Sequence, residues 1–429
     1  MRRLRWIGIL ALVLAFARPA RASDDGAPTL TAEQLFDRWL RASAEVQGLC
    51  AQVGAARWDA VTARTLPNPE LQLAVNQLVG GAPPDSKTGY VGQVSWELPL
   101  FGQVPARRRA AEARVTVAEA TALMTLWERA AEMQSAMIDA AFADARATMM
   151  ARDLAELERL GRIVATRANA GANSQYDVLR VTSAATTVRA ALAAAETERA
   201  AAESRLLAAM AEPSLTRVHV TRAGLAAFRG PQEEAALVRL ALERRPDLEL
   251  ARRNVVAANR AAERERRDAI PSPSLVAGAL AVAGPNGFQV TGGVSFPLPV
   301  FDRRQGPIGR ALAEAHANEL FATALEARIA NEVRGAWRAR EAARAALAEY
   351  RAAALPAAAE LLRRAETTYQ AGTFSIAELF DAYRSTWDAR LQELDLERTM
   401  ATAEVAVERA AVLVPLAPVD RGPLLTHGQ

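Results

Sequence analysis

The chain of 429 residues holds a single cysteine, Cys50. It therefore forms no internal disulfide, and Cys50 is expected to be a small buried residue on a helix. The three histidines, His219, His316 and His427, stand apart from one another and read as lone surface residues. No glycine-rich phosphate loop and no nucleophile elbow is present. These absences speak against an enzyme and imply no cofactor and no resident metal. Aromatic residues make up 5% of the chain and mean hydropathy is −0.02, with alanine abundant. That balance suits long helices packed closely on one another rather than a thick globular core. Beyond the N-terminal segment there is no apolar run of 18 residues, so no helix is expected to span a membrane.

Residues 1–22 contain five arginines and no acid. Without them the chain has 47 basic against 49 acidic residues, a net charge of −2. The pI of 9.4 is thus a property of the first segment, and a nucleic-acid groove is not supported. Arg2, Arg3 and Arg5, an apolar core from Trp6 to Phe16 and an Ala20-Arg21-Ala22 cleavage site make residues 1–22 a secretory signal peptide. Cys50 lies far from that site and is no lipid anchor.

The rest of the chain is written twice. Leu66-Pro67-Asn68-Pro69-Glu70-Leu71 returns as Ile270-Pro271-Ser272-Pro273-Ser274-Leu275. Trp96-Glu97-Leu98-Pro99-Leu100-Phe101 returns as Phe296-Pro297-Leu298-Pro299-Val300-Phe301, and Ala170-Gly171-Ala172-Asn173-Ser174 as Ala371-Gly372-Thr373-Phe374-Ser375. The offsets are 204, 200 and 201 residues, far longer than a solenoid unit. This is a duplicated half-protein, with repeats over 23–212 and 231–413. A linker over 213–230 joins them, and 414–429 form a short tail.

Each repeat reads helix, strand hairpin, very long helix, tight turn, long helix. The first helix covers Thr31 to about Thr65, opened by a Thr31–Gln34 capping box and ended by Pro67 and Pro69. Hairpins follow over about 70–98 and 274–298. In the first, Leu71, Leu73 and Val75 alternate with polar neighbours. Tyr90, Gly92, Val94, Trp96 and Leu98 do the same on the return. In the second, Phe288, Val290, Val294, Phe296 and Leu298 share a face. Such alternation gives each hairpin one apolar side. Long helices are expected over about 106–169 and 308–370, each on the order of 100 Å long. Returning helices cover about 174–210 and 375–412. Leu123, Trp127, Ala130, Ala131, Gln134, Ile138 and Phe142 form a coiled-coil-like stripe. Pro356 should kink or interrupt the second long helix. Glu233 and Glu234 sit at a helix start, where acids favour the dipole.

Four strands with an apolar face suit a cover over a soluble core or a piece of transmembrane barrel. The export signal, the length of the helices and the aromatics Trp96 and Phe296 near strand ends favour the barrel. Four strands alone leave two edges without partners, which lipid does not tolerate. Closure needs further copies. Two would give a barrel filled by side chains, and three would give twelve strands and a water-filled lumen. The helices would continue that barrel as a twelve-helix tube long enough to cross much of a periplasm.

These motifs resemble the TolC-like outer-membrane efflux channels over roughly residues 29–413. Arg245-Pro246-Asp247-Leu248, Ala269-Ile270-Pro271 and Phe296-Pro297-Leu298-Pro299-Val300-Phe301-Asp302-Arg303-Arg304-Gln305-Gly306 look like that family's second half. Leu355-Pro356, with Tyr369-Gln370-Ala371-Gly372-Thr373-Phe374-Ser375-Ile376-Ala377-Glu378-Leu379-Phe380-Asp381-Ala382, looks like its CzcC-like, heavy-metal branch. The resemblance implies a homotrimer in the outer membrane of a Gram-negative bacterium, with a 12-strand β-barrel on a periplasmic α-barrel. It implies a periplasmic adaptor (membrane-fusion) protein docking on the turns at Gly171, Ala172, Asn173, Ser174 and Gly372, Thr373, Phe374, Ser375. It also implies an inner-membrane pump, and an aperture ringed by Glu378 and Asp381, with Asp177 at the equivalent place after the first turn. From spacing alone, Glu378 and Asp381 share a helix face that could equally be solvated. The lipidated mature N-terminal cysteine common among relatives is missing.

The expected function is a passive outer-membrane exit duct for heavy-metal cations in a tripartite efflux system. A duct for drugs or secreted proteins is the alternative on the same fold. A periplasmic coiled-coil scaffold without a pore is the alternative of another class.

Overall fold

A computed structural model describes residues 30–77, 79, 88–169, 174–222, 225, 230–282, 287–371 and 373–413. The expected signal peptide and the tail after 413 lie outside the described residues. In chain order the elements are α1 (Ala32–Ala42), α2 (Ala44–Thr62), β1 (Glu70–Gln77), β2 (Thr88–Glu97), α3 (Gln103–Asn169) and α4 (Gln175–Met210). Then follow α5 (Glu234–Arg244), α6 (Pro246–Asp268), β3 (Ser274–Val282), β4 (Phe288–Ser295), α7 (Gln305–Gln370) and α8 (Ile376–Ala411). No described helix is long and apolar enough to cross a membrane.

The duplication extends to the finest backbone details. The turn before α3 puts Gly102 at φ +85, and its counterpart before α7 puts Arg304 at φ +57. In both, the following glutamine braces the turn: Gln103 Oε1 accepts from Phe101 N and Gln305 Oε1 from Arg303 N, each at 2.8 Å. The helices α4 and α8 both end in a left-handed residue, Ala211 and Val412. They also start alike, on a capping box built from Ser174 and Asp177 or Ser375 and Glu378.

Several boundaries differ from the expectation. The first helix is two, because the chain breaks at buried Ser43, whose extended ψ of 126 starts α2 afresh. The Thr31–Gln34 capping box opens α1 as expected. The strand β4 ends at Ser295, before Phe296 and Leu298, since Pro297 and Pro299 have no N–H to donate. Pro356 does not interrupt α7, which is continuous from Gln305 to Gln370. Its missing N–H orphans the carbonyl of exposed Ala352, where water can serve it. Beside the proline, a cavity of about 350 Å³ separates α7 from α8. Cys50 is half-buried on α2 rather than buried.

Each long helix has a different companion along each half. Near the strands α2 and α6 pack on α3, and α6 packs on α7. Toward the turns α4 packs on α3, and α8 on α7 and α3. The repeats therefore meet along α3, against α6 above and α8 below. At mid-height, where companions change, sit two equivalent cores. Leu35, Phe36 and Trp39 of α1 meet Trp127, Met133 and Met137 of α3 and Leu206 and Met210 of α4. Leu237, Ala241 and Leu248 meet Ile329 and Val333 of α7 and Val407, Ala410 and Ala411 of α8. Each fully buried large side chain contributes about 1.5–3 kcal/mol. Leu215, Val218 and Val220 of the linker join the first core, so this stretch is packed rather than a loose spacer. The stripe from Trp127 to Phe142 is buried apart from Leu123, which is half-exposed.

Candidate functional site

The strands form one antiparallel sheet in the order β1-β2-β3-β4. Cross-strand partners share a face, and the register joins Leu71, Val94, Ala277 and Gly292 in one row. Leu73, Gly92, Ala279 and Val290 form another, and Val75, Tyr90, Ala281 and Phe288 a third. One face is thus apolar from edge to edge. Along most of the other run Glu70, Gln72 and Asn76 of β1, Gln93 and Ser95 of β2, and Gln289 and Thr291 of β4. Apolar residues also stand on that second face: Ala74 of β1, Val91 of β2, and Val276 and Leu280 of β3. Among the described residues no helix packs along the sheet. Leu73 is 75%, Val290 71% and Phe288 71% exposed. Water does not favour such a surface; lipid does. Trp96 anchors the lower rim, its indole N–H donating to the Pro67 carbonyl at 2.9 Å. The outer edges of β1 and β4 have no partner among the described residues.

About 100 Å away, by helix length, lie the two turns. Gly171, Ala172, Asn173 and Gly372 fall outside the described residues. Ser174 and Ser375 are the N-caps of α4 and α8. Thr373 N and Oγ1 both donate to the Thr368 carbonyl, closing the end of α7, and Phe374 is exposed. Tyr176 and Leu179 on the first turns of α4 are about 70% exposed. A single core ties the four helices together just behind: Leu157, Leu160 and Val164 meet Val181, Tyr369, Leu379, Tyr383 and Trp387. The lower ends of the four helices are therefore neighbours.

The three expected aperture carboxylates have separate local roles. Asp177 Oδ2 accepts from Ser174 N at 3.1 Å. Glu378 Oε2 accepts from Ser375 N at 2.7 Å and Ser375 Oγ at 2.9 Å. These hydrogen bonds hold the Glu378 carboxyl below the usual range. Asp381 pairs with Arg180 of α4 at 3.6 Å, and Arg180 also lies over the Phe380 ring. A second cross-repeat contact sets Arg167 of α3 over the Tyr369 ring, 4.9 Å from its centroid. Burial, then a hydrogen bond to Glu366, pushes Tyr383 up to about 12. Spacing in the sequence links Glu378 to Asp381; it says nothing of Arg180, which only packing brings to Asp381.

The motif Arg245-Pro246-Asp247-Leu248 has its work at mid-height. Pro246 opens α6, and the buried Arg245 guanidinium pairs with Asp247 at 2.7 Å and Glu332 of α7 at 2.9 Å. It also stacks over Trp127 of the first repeat, 5.2 Å from the ring centroid. A ladder of polar pairs runs down the α3–α8 seam below it. Gln134 reaches Glu408, Asp139 meets Arg398, Arg146 meets Asp395, and Asp153 faces Arg390. Burial raises Asp153 to about 6 and Glu408 to about 7. His219 lies 3.9 Å from Asp144 and His316 3.8 Å from Glu319, each alone; His427 is outside the described residues. No group of three potential metal ligands occurs among the described residues.

An exposed apolar sheet above a two-fold repeated helical body defines the class, and sequence comparison agrees. Residues 35–212 and 237–411 match the family model described as Outer membrane efflux protein. The chain belongs to that family. It is similar to the cobalt-zinc-cadmium resistance protein CzcC of Cupriavidus metallidurans, at 26% identity over 93% of this chain and 97% of that one. The structure of CusC, described with transmembrane channel formation, superposes with a TM-score of 0.74 at 18% identity, covering 93% of this chain and 99% of that one. The outer-membrane channel OprN gives 0.73 at 20% identity and 89% of each chain. The protein is thus an outer-membrane efflux channel and not an enzyme, with its sheet in the membrane and its helices in the periplasm. Its fold is that of the trimeric TolC-like channels, in which a β-barrel stands on a helical barrel.

Proposed function

We propose that three copies of this chain form the passive exit duct of a tripartite efflux system for heavy-metal cations. The observation that carries the duct is the sheet: one apolar face, one largely polar face and two open edges per chain. Closing those edges three times over yields twelve strands around a polar lumen. The cargo is inferred from the likeness to a cobalt-zinc-cadmium resistance protein across nearly the whole of both chains. Energy must then come from an inner-membrane pump, with a periplasmic adaptor joining it to the duct. We assign the docking surface to the turns, Gly171 to Ser174 and Gly372 to Ser375; the core shared by the helix ends behind them supports that reading.

Glu378, Asp381 and Asp177 are assigned to the periplasmic aperture. Trimer symmetry would repeat each three times around one axis, and rings of carboxylates favour cations. Glu378 also caps its own helix, so the informative variant keeps the cap: glutamine serves in a capping box. In planar-bilayer recordings, wild type should be cation-selective and blocked by multivalent cations from the periplasmic side. Glu378→Gln/Asp381→Asn should lose both properties. Retention of both by the double variant would return these residues to an ordinary helix face. For the cargo, a deletion strain should become sensitive to cobalt, zinc or cadmium and recover with this gene. Sensitivity to drugs alone would reassign the cargo to the alternative duct.

A further inference from the structure

Directly beneath the sheet, the last turns of α2 and α6 and the first turns of α3 and α7 enclose a cavity of about 660 Å³. Arg107 and Arg114 of α3, Arg264 of α6 and Arg304 at the start of α7 line it, together with Asp59 and Asp268. We propose that this cavity binds the phosphate of an anionic phospholipid headgroup from the periplasmic leaflet of the outer membrane. The proposal rests on the placement of the sheet in that membrane.

Local charge is the first reason. The segments 57–64, 103–114, 260–268 and 302–310 flank the sheet on its helical side and hold thirteen arginines against six carboxylates. The mature chain as a whole is slightly acidic, so the positive collar is a local feature. Its cations are guanidinium groups, whose planar donors suit phosphate oxygens.

Incomplete satisfaction within the cavity is the second. Three arginines share two carboxylates. Asp268 takes Arg107 at 3.0 Å and Arg264 at 3.5 Å, while Glu265 takes Arg264 at 2.8 Å and Arg304 at 2.5 Å. Arg114 forms no ion pair among the described residues. The Nε–H of Arg304 is buried without a hydrogen-bond partner, and that of Arg264 has only the 3.5 Å ion pair with Asp268. Leaving a buried charged donor unpaired is costly, and an anion in the cavity would supply acceptors.

The backbone adds a third. Both α3 and α7 begin here, and neither has an acidic residue in its first turn. The N-terminus of α3 thus presents positive potential that no first-turn carboxylate offsets, while at α7 Asp302 accepts only from the N-cap Arg304 N–H at 2.7 Å. Height fits as well. Arg107 lies four residues into α3, about 6 Å along the axis, and α3 itself begins six residues after β2 ends. Headgroups occupy that depth, since they extend several ångströms beyond the hydrocarbon on each side.

The test uses the intact, detergent-purified protein. Phosphatidylglycerol, cardiolipin, phosphatidylcholine or inorganic phosphate is added separately, and bound species are counted by native mass spectrometry alongside thermal unfolding. Phosphatidylglycerol and cardiolipin should bind saturably and raise the unfolding temperature, and phosphatidylcholine should do neither. Arg114→Gln and Arg107→Gln should each weaken that binding at least tenfold. Arg310→Gln, which removes a charge that pairs only with Glu314 within α7, should leave it unchanged. Equal binding of phosphatidylcholine, or wild-type affinity in both cavity variants, would overturn the site. Binding of inorganic phosphate as tight as that of the lipids would overturn the lipid source. Every arm is run on membrane-extracted protein first verified by mass to be a trimer, so failure here is distinct from failure of the channel reading.

Discussion

At the scale of single residues, Glu408 has the most to lose. It is buried on α8 against Gln134, with Glu404 a turn away adding like charge. Burial is the larger cause of its rise from 4.5 to about 7. A carboxyl raised in the folded state binds its proton more tightly there than in the unfolded chain. Its contribution is therefore full below about 4.5 and is lost as pH rises through about 7. Glu408→Gln mimics the protonated form. It should stabilise the protein by about 2–3 kcal/mol at pH 8 and by nothing measurable at pH 4.5. Thermal unfolding at the two pH values checks this; a gain independent of pH would locate the effect elsewhere. Arg245 has the opposite character, because its charge is fully partnered. Arg245→Ala would leave Asp247 and Glu332 facing each other without their cation and remove a stack on Trp127. A loss of about 3–5 kcal/mol is expected, read as a lower unfolding temperature of the assembled protein.

Among the elements, the sheet makes the sharpest demand on its residues. Val94 faces Leu71 on β1 and Ala277 on β3, and Val290 faces Ala279, so both lie on the apolar face. Val94→Arg and Val290→Arg should each cost about 2–4 kcal/mol if near the bilayer midplane and lower the yield of assembled protein. Gln93→Arg, on the polar face, should be tolerated. Equal yields for all three would mean the faces are misassigned. The turns between long helices form another such element. Gly372→Val should abolish efflux while the barrel remains in the membrane, because a branched side chain excludes the left-handed conformations that glycine permits. Retained efflux in that variant would separate the turn from adaptor docking.

For the whole molecule, the repeat makes two sheet hairpins and two pairs of long helices, but they do not enclose anything by themselves. Among the described residues the ends of the row, β1 and β4, are free for a neighbour, and the seam between the repeats runs along α3, α6 and α8. Mass measurement of the detergent-solubilised protein should give three copies. A stable monomer with four protected strands would contradict the closed barrel.

Much of this was legible without coordinates because duplication and period-two alternation are statements about order along the chain. The 200-residue repeat, the hairpins, the two helix reversals and the apolar strand faces all follow from the spacing of residues such as Leu71, Val290 and Pro299. The capping box at Thr31 was equally readable, since its partner lies three positions away; Ser174 and Ser375 were read as turn residues, and the structure adds that they cap α4 and α8. What depends on distant partners was not. No local pattern tells that Arg180 meets Asp381, that Arg245 reaches Trp127 in the other repeat, or that Glu408 is buried deeply enough to hold a proton near neutral pH. The arginines under the sheet are spread over 57–310 and converge only when four helix ends meet. Proline chemistry alone predicted a break at Pro356, yet solvent at the orphaned carbonyl of exposed Ala352 lets α7 stay whole. Sequence therefore determined the elements and the environment each face requires. Tertiary structure decided which charges share a site, because burial and pairing depend on segments far apart in the chain.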